Sequence, residues 1–399
     1  MSLEDAEDLV LHMILSKVGP ENTARVACVS KRLQVSASEE SLWSIFCSLD
    51  LNISTPLHDY IPMEILSFLQ AEATLRKGVT EDDLEELETA LNVQLPLTTR
   101  LLYRFVDGQE LSSSSSSAGV DEGPLGLIGG YSAYWHKVNV YLLPLKEVPA
   151  RLTPLIMAGD HNTISKNIVV VAVSAAPSSK KMFFLDCTNG QLYTENTSSH
   201  QMLPCVPESL VCINGDQQQD AMLLWLEEHG RRLQTGATKV REQDNIKSIS
   251  LFPEIPPLCS ISVTNGVQVR ASSVFMPEVS NHLDNPPVYS YACSIRMSLM
   301  PNFNRRHRSS WQMYSRHWVV RADDAVIGDV DGEVVLLKNP LLQAKEEEFV
   351  YRCISQFPTS NLSVEGSFTF VPGSLQDPKE PQFEVNVAEF PVKLPDYIF

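Results

Sequence analysis

The sequence predicts a multidomain α+β protein with a helical N-terminal segment, a mixed α/β middle domain and an all-β C-terminal sandwich. Three patterns predict this order. Apolar residues recur at helical spacing over residues 1–50, helix and strand patterns are mixed over residues 78–230, and a period of two dominates beyond residue 257. A chain of 399 residues with 43% hydrophobic residues is long enough to bury several cores.

Composition excludes several classes of function. The formal charge of -18 argues against electrostatic binding to nucleic acid or to an anionic membrane. No apolar run reaches the roughly 20 residues of a membrane-spanning helix, and a basic lead-in typical of a signal peptide is missing. The eight cysteines include no C-x-x-C pair, so we expect no metal, no cofactor and no disulfide. These features predict a soluble protein of the cytoplasm or nucleus.

The first fifty residues carry more apolar surface than three short helices can bury. Gly19-Pro20 ends the first predicted helix, and Asn22 or Thr23 caps the second. A unit of this size cannot hide all of its apolar side chains within itself. We therefore expect its surplus face to contact the rest of the chain or another protein. The apolar residues at helical spacing are Leu9, Met13, Ile14, Val18, Ala24, Ala27, Leu42, Trp43 and Phe46.

A helix start in the middle region is predicted at Thr80. Thr80 and Asp83 have the spacing of a capping box, and Leu84, Leu87 and Leu91 then fall on one helical face. The acidic residues of this helix lie mostly near its N-terminus, where the helix dipole favours them. We interpret them as a solvated face rather than as a metal or acid–base site.

Turn and composition signals divide the rest of the middle region. The sequence predicts a helical connector over residues 51–77, and the mixed domain over 78–230 includes a hairpin at Asn189-Gly190. A further helix is predicted over residues 217–228. The polar stretch 231–256 is predicted to be a linker to the next domain.

The C-terminal region, residues 257–399, has the patterns of a sandwich. Asn265-Gly266 is a second hairpin signal between alternating apolar residues. Apolar residues occupy the odd-numbered positions from Tyr289 to Leu299, which indicates a strand with one buried face. Several such strands without a comparable helix signal predict an all-β sandwich.

Motifs for catalysis are missing, and four weaker signals have two interpretations each. Asp160-His161 is compatible with an acid–base pair or with a turn. Asp329 to Gly332 is compatible with part of a calcium loop or with a hairpin turn. Arg316-His317 is compatible with a binding patch. Alternatively, the two residues lie at the rim of a strand that buries Trp318 in the core. The basic cluster 305–308 suits a nuclear address or an exposed loop.

Residues 1–50 resemble an F-box. That resemblance implies a three-helix module that docks on a Skp-type adaptor and, through it, on a cullin–RING ubiquitin ligase. The matching residues are Asp8-Leu9, Ile14-Leu15-Ser16-Lys17, Gly19-Pro20, Ala24 to Arg32 and Leu42-Trp43. The residues that the resemblance implies for adaptor contact, or for the core supporting it, are Leu9, Ile14, Leu15, Val26, Val29, Leu33, Leu42 and Trp43.

The two other regions also resemble known families. The middle domain is similar to the SUKH superfamily, whose members mainly bind proteins, at Leu84, Leu87, Leu95-Pro96, Tyr103, Asp107-Gly108 and Trp225-Leu226. The C-terminal region resembles ApaG, a fibronectin-like sandwich, at Ser315 to Trp318, Asp324, Phe368 to Phe370 and Phe390-Pro391. This chain retains only Gly332 from the glycine-rich loop of bacterial ApaG.

This order of regions resembles F-box proteins that carry SUKH and ApaG domains. It implies a non-catalytic substrate receptor of an SCF-type ubiquitin ligase, in which the F-box binds the adaptor and the other domains bind the target. Arg316 and His317 form the candidate target-binding rim. The alternatives are a scaffold outside any ligase and an ApaG protein that binds a nucleotide or another small molecule.

Overall fold

The architecture follows from a computed structural model of the chain. It describes residues 8–27, 29–39, 41–43, 45–46, 75–110, 125–149, 167–174, 181–197, 199–211, 220–243, 246–300, 310–323, 325–333, 341–343 and 348–399. The predicted helical connector 51–77 lies outside these residues except for its last three, which form a strand and not a helix, so that part of the prediction was wrong. Asp160-His161 and the basic cluster 305–308 lie outside them entirely.

The N-terminal segment forms short helices around a small apolar core. They are α1 (Asp8–Val18), α2 (Pro20–Ala27) and α3 (Lys31–Ala37), and residues 41–43 and 45–46 are also helical. Gly19 joins α1 to α2 with a φ of +83°, a conformation that glycine adopts without strain. The side chains buried in this core are Leu11, Leu15, Leu33, Ala37, Leu42 and Phe46.

The middle domain is a mixed sheet with helices. Its strands are β3 (Gly129–Ala133), β4 (His136–Leu142), β5 (Ile168–Ser174), β6 (Met182–Asp186), β7 (Leu192–Glu195), β8 (Met202–Pro204), β9 (Lys239–Gln243) and β10 (Ile246–Ser250), in the order β8-β7-β6-β5-β4-β3-β10-β9. Its helices are α4 (Glu81–Leu91), α5 (Leu97–Phe105) and α6 (Ala221–Gln234), and β1 (Leu75–Lys77) pairs with β2 (Val106–Gln109). The predicted capping box is confirmed, because Thr80 accepts from the Asp83 amide and Asp83 from the Thr80 amide.

The stretch 231–256 is not a linker, so that prediction was wrong. Helix α6 continues through Gly230 to Gln234, and β9 and β10 then join the middle sheet. Strand β10 runs parallel to β3, with Ser250 opposite Gly130. Strands at a sheet edge bury few side chains, so a mostly polar composition is compatible with pairing here. Ile249 is nevertheless completely buried and anchors β10.

The C-terminal region is a sandwich of two antiparallel sheets, as predicted. Its strands are β11 (Cys259–Thr264), β12 (Val267–Phe275), β13 (Tyr289–Leu299), β14 (Ser310–Ala322), β15 (Ala325–Glu333), β16 (Leu341–Gln343), β17 (Phe349–Phe357), β18 (Asn361–Pro372) and β19 (Phe383–Lys393). The first sheet has the order β11-β12-β13-β17, and the second has the order β15-β14-β18-β19, with β16 also paired to β14. The Tyr351 and Phe368 rings, 5.5 Å apart, join the two sheets in a common core.

Two of the predicted turns are confirmed and one was wrong. Asn189-Gly190 lies between β6 and β7, and Asn265-Gly266 connects β11 to β12 with positive φ at both residues. The stretch 329–332, predicted as a hairpin turn, instead lies within β15 and pairs with β14. Asp323, with a φ of +50°, lies where that hairpin actually reverses direction.

The middle domain and the sandwich share one continuous apolar core among the described residues. The C-terminal residues Ile398 and Phe399 pack against the middle domain, and the Phe399 ring stacks on Trp225 at 5.5 Å. The Trp225 indole N–H donates to the Ile398 carbonyl over 2.7 Å, and the Ile398 amide donates to the Cys205 carbonyl over 3.1 Å. In the part of the chain that the structure describes, every helix is too short or too polar to cross a membrane.

Candidate docking surfaces and the domain interface

Helix α1 presents an apolar surface to solvent. We call Val10, Met13, Ile14 and Val18 the α1 surface, because their spacing places them on one side of the helix. Their exposed fractions are 40%, 52%, 38% and 40%, whereas Leu11 is completely buried. An apolar helix face of this kind, next to a separate small core, is typical of a protein-binding site.

The residues predicted for adaptor contact divide into core and surface. Leu15, Leu33 and Leu42 are buried in the N-terminal core. Val26 and Trp43 pack against that core, and the Trp43 indole N–H donates to the Ala37 carbonyl over 2.6 Å. Ile14 and Val29 are exposed, while the side chain of Leu9 lies outside the described residues.

Sequence reasoning did not select several exposed members of this region. Val10, Met13, Val18 and Val35 were not among the predicted contact residues, although Val35 is 71% exposed. The signal was present in α1, since these residues repeat with Ile14 at helical spacing beside the buried Leu11. Distinguishing the buried face from the exposed face required the packing of α2 and α3.

Arg316 and His317 do not form one surface. As neighbours on β14 their side chains point to opposite faces of the second sheet. Arg316 faces the sandwich interior, where it donates a hydrogen bond to the Tyr351 hydroxyl and lies 5.7 Å from the centroid of that ring. His317 lies on the outer face, with its Nε2 2.8 Å from Oδ1 of Asp329.

Acidic residues surround His317 on that outer face. We call His317 with Asp329, Asp331, Glu365 and Glu384 the acidic sheet face. A hydrogen bond to Asp329 raises the pKa of His317, and the charges of Asp331 and Glu384 act in the same direction. Glu365 accepts from Arg321 over 2.9 Å, whereas Asp329 remains 65% exposed. The face therefore presents negative potential to any partner.

A buried polar cluster joins the middle domain to the sandwich. Glu278, almost completely buried after β12, accepts from the Tyr131 hydroxyl over 2.6 Å and lies 2.7 Å from Nε2 of His136. The Lys181 ammonium lies 3.7 Å from the other carboxylate oxygen of Glu278 and also contacts the Phe399 carbonyl. Burial opposes ionisation of Glu278, but the Lys181 charge and the two hydrogen bonds outweigh it and lower the pKa.

A second charged cluster surrounds Glu254. Its carboxylate accepts from Arg241 of β9 over 2.6 Å and from Arg270 of β12 over 3.1 Å. Arg296 of β13 lies 3.7 Å away and also binds Glu348. Burial opposes ionisation of Glu254, yet these arginines lower its pKa. The cluster connects strands of both domains. No local sequence pattern predicts it, because the partners lie on separate strands.

The described residues offer little for catalysis. No three metal-ligating side chains come together within the described ranges. A cavity of about 550 Å³ lies between α6 and the sandwich, lined in part by Arg231, Arg232, Phe275, Lys393 and Tyr397. Both arginines already bind Glu228 over 2.7 Å.

Comparison with known proteins shows the family to which the chain belongs. The family model of the ApaG domain matches residues 279–372, which lie within the sandwich. The chain thus carries an ApaG domain, joined to N-terminal helices with an exposed apolar face. It belongs to the family of the F-box protein SKIP16 of Arabidopsis thaliana, to which it is 62% identical over the full length of both chains.

More distant similarity extends to animals and to solved structures. F-box only protein 3 of Homo sapiens is 21% identical over 93% of this chain and 79% of its own. The protein of the same name from Mus musculus is 22% identical over 93% of this chain and 78% of its own. The crystal structure of the putative ApaA protein from Bordetella pertussis aligns with 35% of this chain and 98% of its own, at 24% identity and a TM-score of 0.27.

Proposed function

We propose that the chain is a substrate receptor of an SCF-type ubiquitin ligase. Residues 1–50 act as an F-box that docks on a Skp-type adaptor, and the adaptor connects the chain to a cullin–RING ligase. The middle domain, which we infer to be SUKH-like, and the ApaG sandwich bind the target. Membership of the F-box family supports this proposal.

The observation that carries the proposal is the α1 surface. Four apolar side chains on one side of α1 face solvent, while the helix buries Leu11 and Leu15 in a core of its own. Among the described residues, this core includes no side chain from the middle domain or the sandwich. The exposed face is thus left for another protein, and burying it would stabilise a complex by roughly 25 cal/mol per Å² of apolar surface.

The chain needs no catalytic residue for this role. A receptor accelerates ubiquitin transfer by holding the target beside the ligase, which raises its effective concentration. For that purpose the target-binding surface must be held rigidly relative to its neighbours. The clusters around Glu278 and Glu254 meet that requirement, since they join the middle domain to the sandwich.

We infer that the acidic sheet face takes part in target binding. His317, a residue of the predicted rim, lies at its centre, and Asp329 and Asp331 lie on the outermost strand of the second sheet. Arg316 contributes indirectly, because its contact with Tyr351 positions β14 from the inside. Negative charge around His317 favours a target with basic side chains.

The adaptor contact is tested by placing charges on the α1 surface. We expect Met13→Asp combined with Ile14→Asp to weaken binding of a purified Skp-type adaptor at least tenfold, because two carboxylates would be desolvated in the complex. Isothermal titration calorimetry measures the affinity. Val326→Asp is the matched control, since Val326 is 51% exposed on strand β15 of the sandwich.

Two results would contradict the proposal. One is an unchanged affinity in a double variant whose circular dichroism matches the parent chain. The other is an equal loss of affinity in the Val326→Asp control, which would assign the contact to the sandwich instead.

A further inference from the structure

Two cysteines face each other inside the sandwich. Cys293 of β13 lies directly opposite Cys353 of β17 in the antiparallel ladder. Directly opposed residues in such a ladder have Cα atoms about 4.5–5.5 Å apart. A disulfide spans Cα separations of about 4.4–6.8 Å, so the backbone already holds the two residues at bonding distance.

The two thiols contact each other and carry no bond in this structure. They are hydrogen bonded to one another, and both are free cysteines. The cysteine at the start of β11 differs, because Cys259 is opposite Ser272 in its ladder. Cys293 and Cys353 are therefore placed for a reaction that Cys259 is not placed to make.

The surroundings give the two thiols different roles. Cys293 is buried, whereas Cys353 is partly exposed and lies near Arg316. The hydrogen bond from Cys293 and the Arg316 charge lower the pKa of Cys353, while the contact with Cys353 and burial raise the pKa of Cys293. The thiolate is the reactive form, so Cys353 is the first of the two residues to react with an oxidant.

We propose that Cys293 and Cys353 form a reversible disulfide when the protein meets hydrogen peroxide. The Cys353 sulfur attacks one peroxide oxygen, the O–O bond breaks, and a sulfenic acid and water result. The Cys293 sulfur then displaces the hydroxyl group as a second water, and the S–S bond forms. Two thiols are oxidised and one hydrogen peroxide is reduced to two waters, and a dithiol reductant reverses the change.

The bond would constrain the part of the sandwich that includes His317, Asp329 and Asp331 of the acidic sheet face. It closes a loop of about 60 residues, and cross-links of that length restrict the unfolded chain strongly. Strands β14 and β15 lie within this loop. We therefore expect the melting temperature of the full chain to rise by several degrees on oxidation and to return on reduction.

Peptide mapping tests the proposal in the full chain. After treatment with a small molar excess of hydrogen peroxide at neutral pH, free thiols are blocked and the protein is digested with trypsin without reduction. Cleavage yields the peptides 271–296 and 353–379, each with a single cysteine. We expect mass spectrometry to detect these two peptides joined by a disulfide.

Variants make the test specific. Cys293→Ser should stop at a Cys353 sulfenic acid that dimedone traps, and the control Cys259→Ser should form the disulfide like the parent chain. If the joined peptide is missing from the oxidised folded protein, or forms only after unfolding in urea, the proposal is overturned. Equal dimedone labelling of Cys353 and Cys259 in folded Cys293→Ser would also overturn it. The joined peptide is measured in the parent chain, so that readout does not require the Cys293→Ser variant to fold.

Discussion

At the scale of single residues, His229 shows how burial makes a side chain sensitive to pH. It lies on α6 beside Phe399, with its Nε2 2.9 Å from the Leu127 carbonyl. Burial is the largest cause that lowers the pKa of His229 to about 4. In the unfolded chain an ordinary histidine binds a proton near pH 6.5. The unfolded state therefore binds more protons than the folded state between these two values.

Stability should fall as the pH is lowered through that window. The contribution of His229 is fully present above pH 6.5 and is lost progressively down to about pH 4. From pH 7 to pH 5 we expect the parent chain to lose about 2 kcal/mol more free energy of unfolding than His229→Gln, which does not titrate there. Urea unfolding of both proteins at pH 7 and at pH 5 measures this difference in the free energy of unfolding. Parallel losses in the two proteins would contradict this account.

At the scale of secondary structure, local sequence signals predicted helix starts and hairpins well. They did not predict which distant strands pair with each other. Thr80 with Asp83 and the Asn-Gly pairs act within a few residues, so helix starts and hairpins were predicted. The turn between β14 and β15 was predicted at the wrong place. The Asp331-Gly332 dipeptide has a turn composition but lies within β15, where it pairs with Arg316 and His317 of β14. Strand pairing across the chain decides such cases.

The cap of α4 provides a test at this scale. Thr80→Ala removes the side chain that accepts from the Asp83 amide, so we expect a loss of about 1 kcal/mol in the free energy of unfolding. Thr89→Ala in the same helix is the matched control, because Thr89 is exposed and away from the helix start. Urea denaturation followed by circular dichroism compares them. Equal effects of the two substitutions would mean that the cap does not stabilise α4.

At the scale of the whole molecule, the middle domain and the sandwich are joined by contacts that no local pattern predicts. Glu278, Lys181 and Tyr131 lie far apart in sequence, and each alone is an ordinary residue of its strand or turn. Their burial depends on both domains being folded. The sequence predicted that the N-terminal helices expose apolar surface, because they carry more apolar residues than they can bury. Which residues form the α1 surface depends on how the helices pack.

The contact of Phe399 with the middle domain should contribute much of this coupling. Phe399→Ala removes a buried ring from Trp225 and Arg232, so we expect a loss of about 3–5 kcal/mol in the free energy of unfolding. Hydrogen exchange should also increase in α6. Leu394→Ala, 45% exposed on the same segment, should change stability by less than about 0.5 kcal/mol. Similar values for both variants would show that the contact adds no stability.

The buried cluster around Glu278 also restricts how such chains diversify. A gene fusion whose new middle domain covered Glu278 without supplying a cation in place of Lys181 would leave a buried, unpaired carboxylate, at a cost of roughly 3–5 kcal/mol. Exchange of the N-terminal helices carries no such penalty among the described residues, because their core is separate. The two larger domains are therefore expected to be inherited together, while the helical segment is free to be replaced.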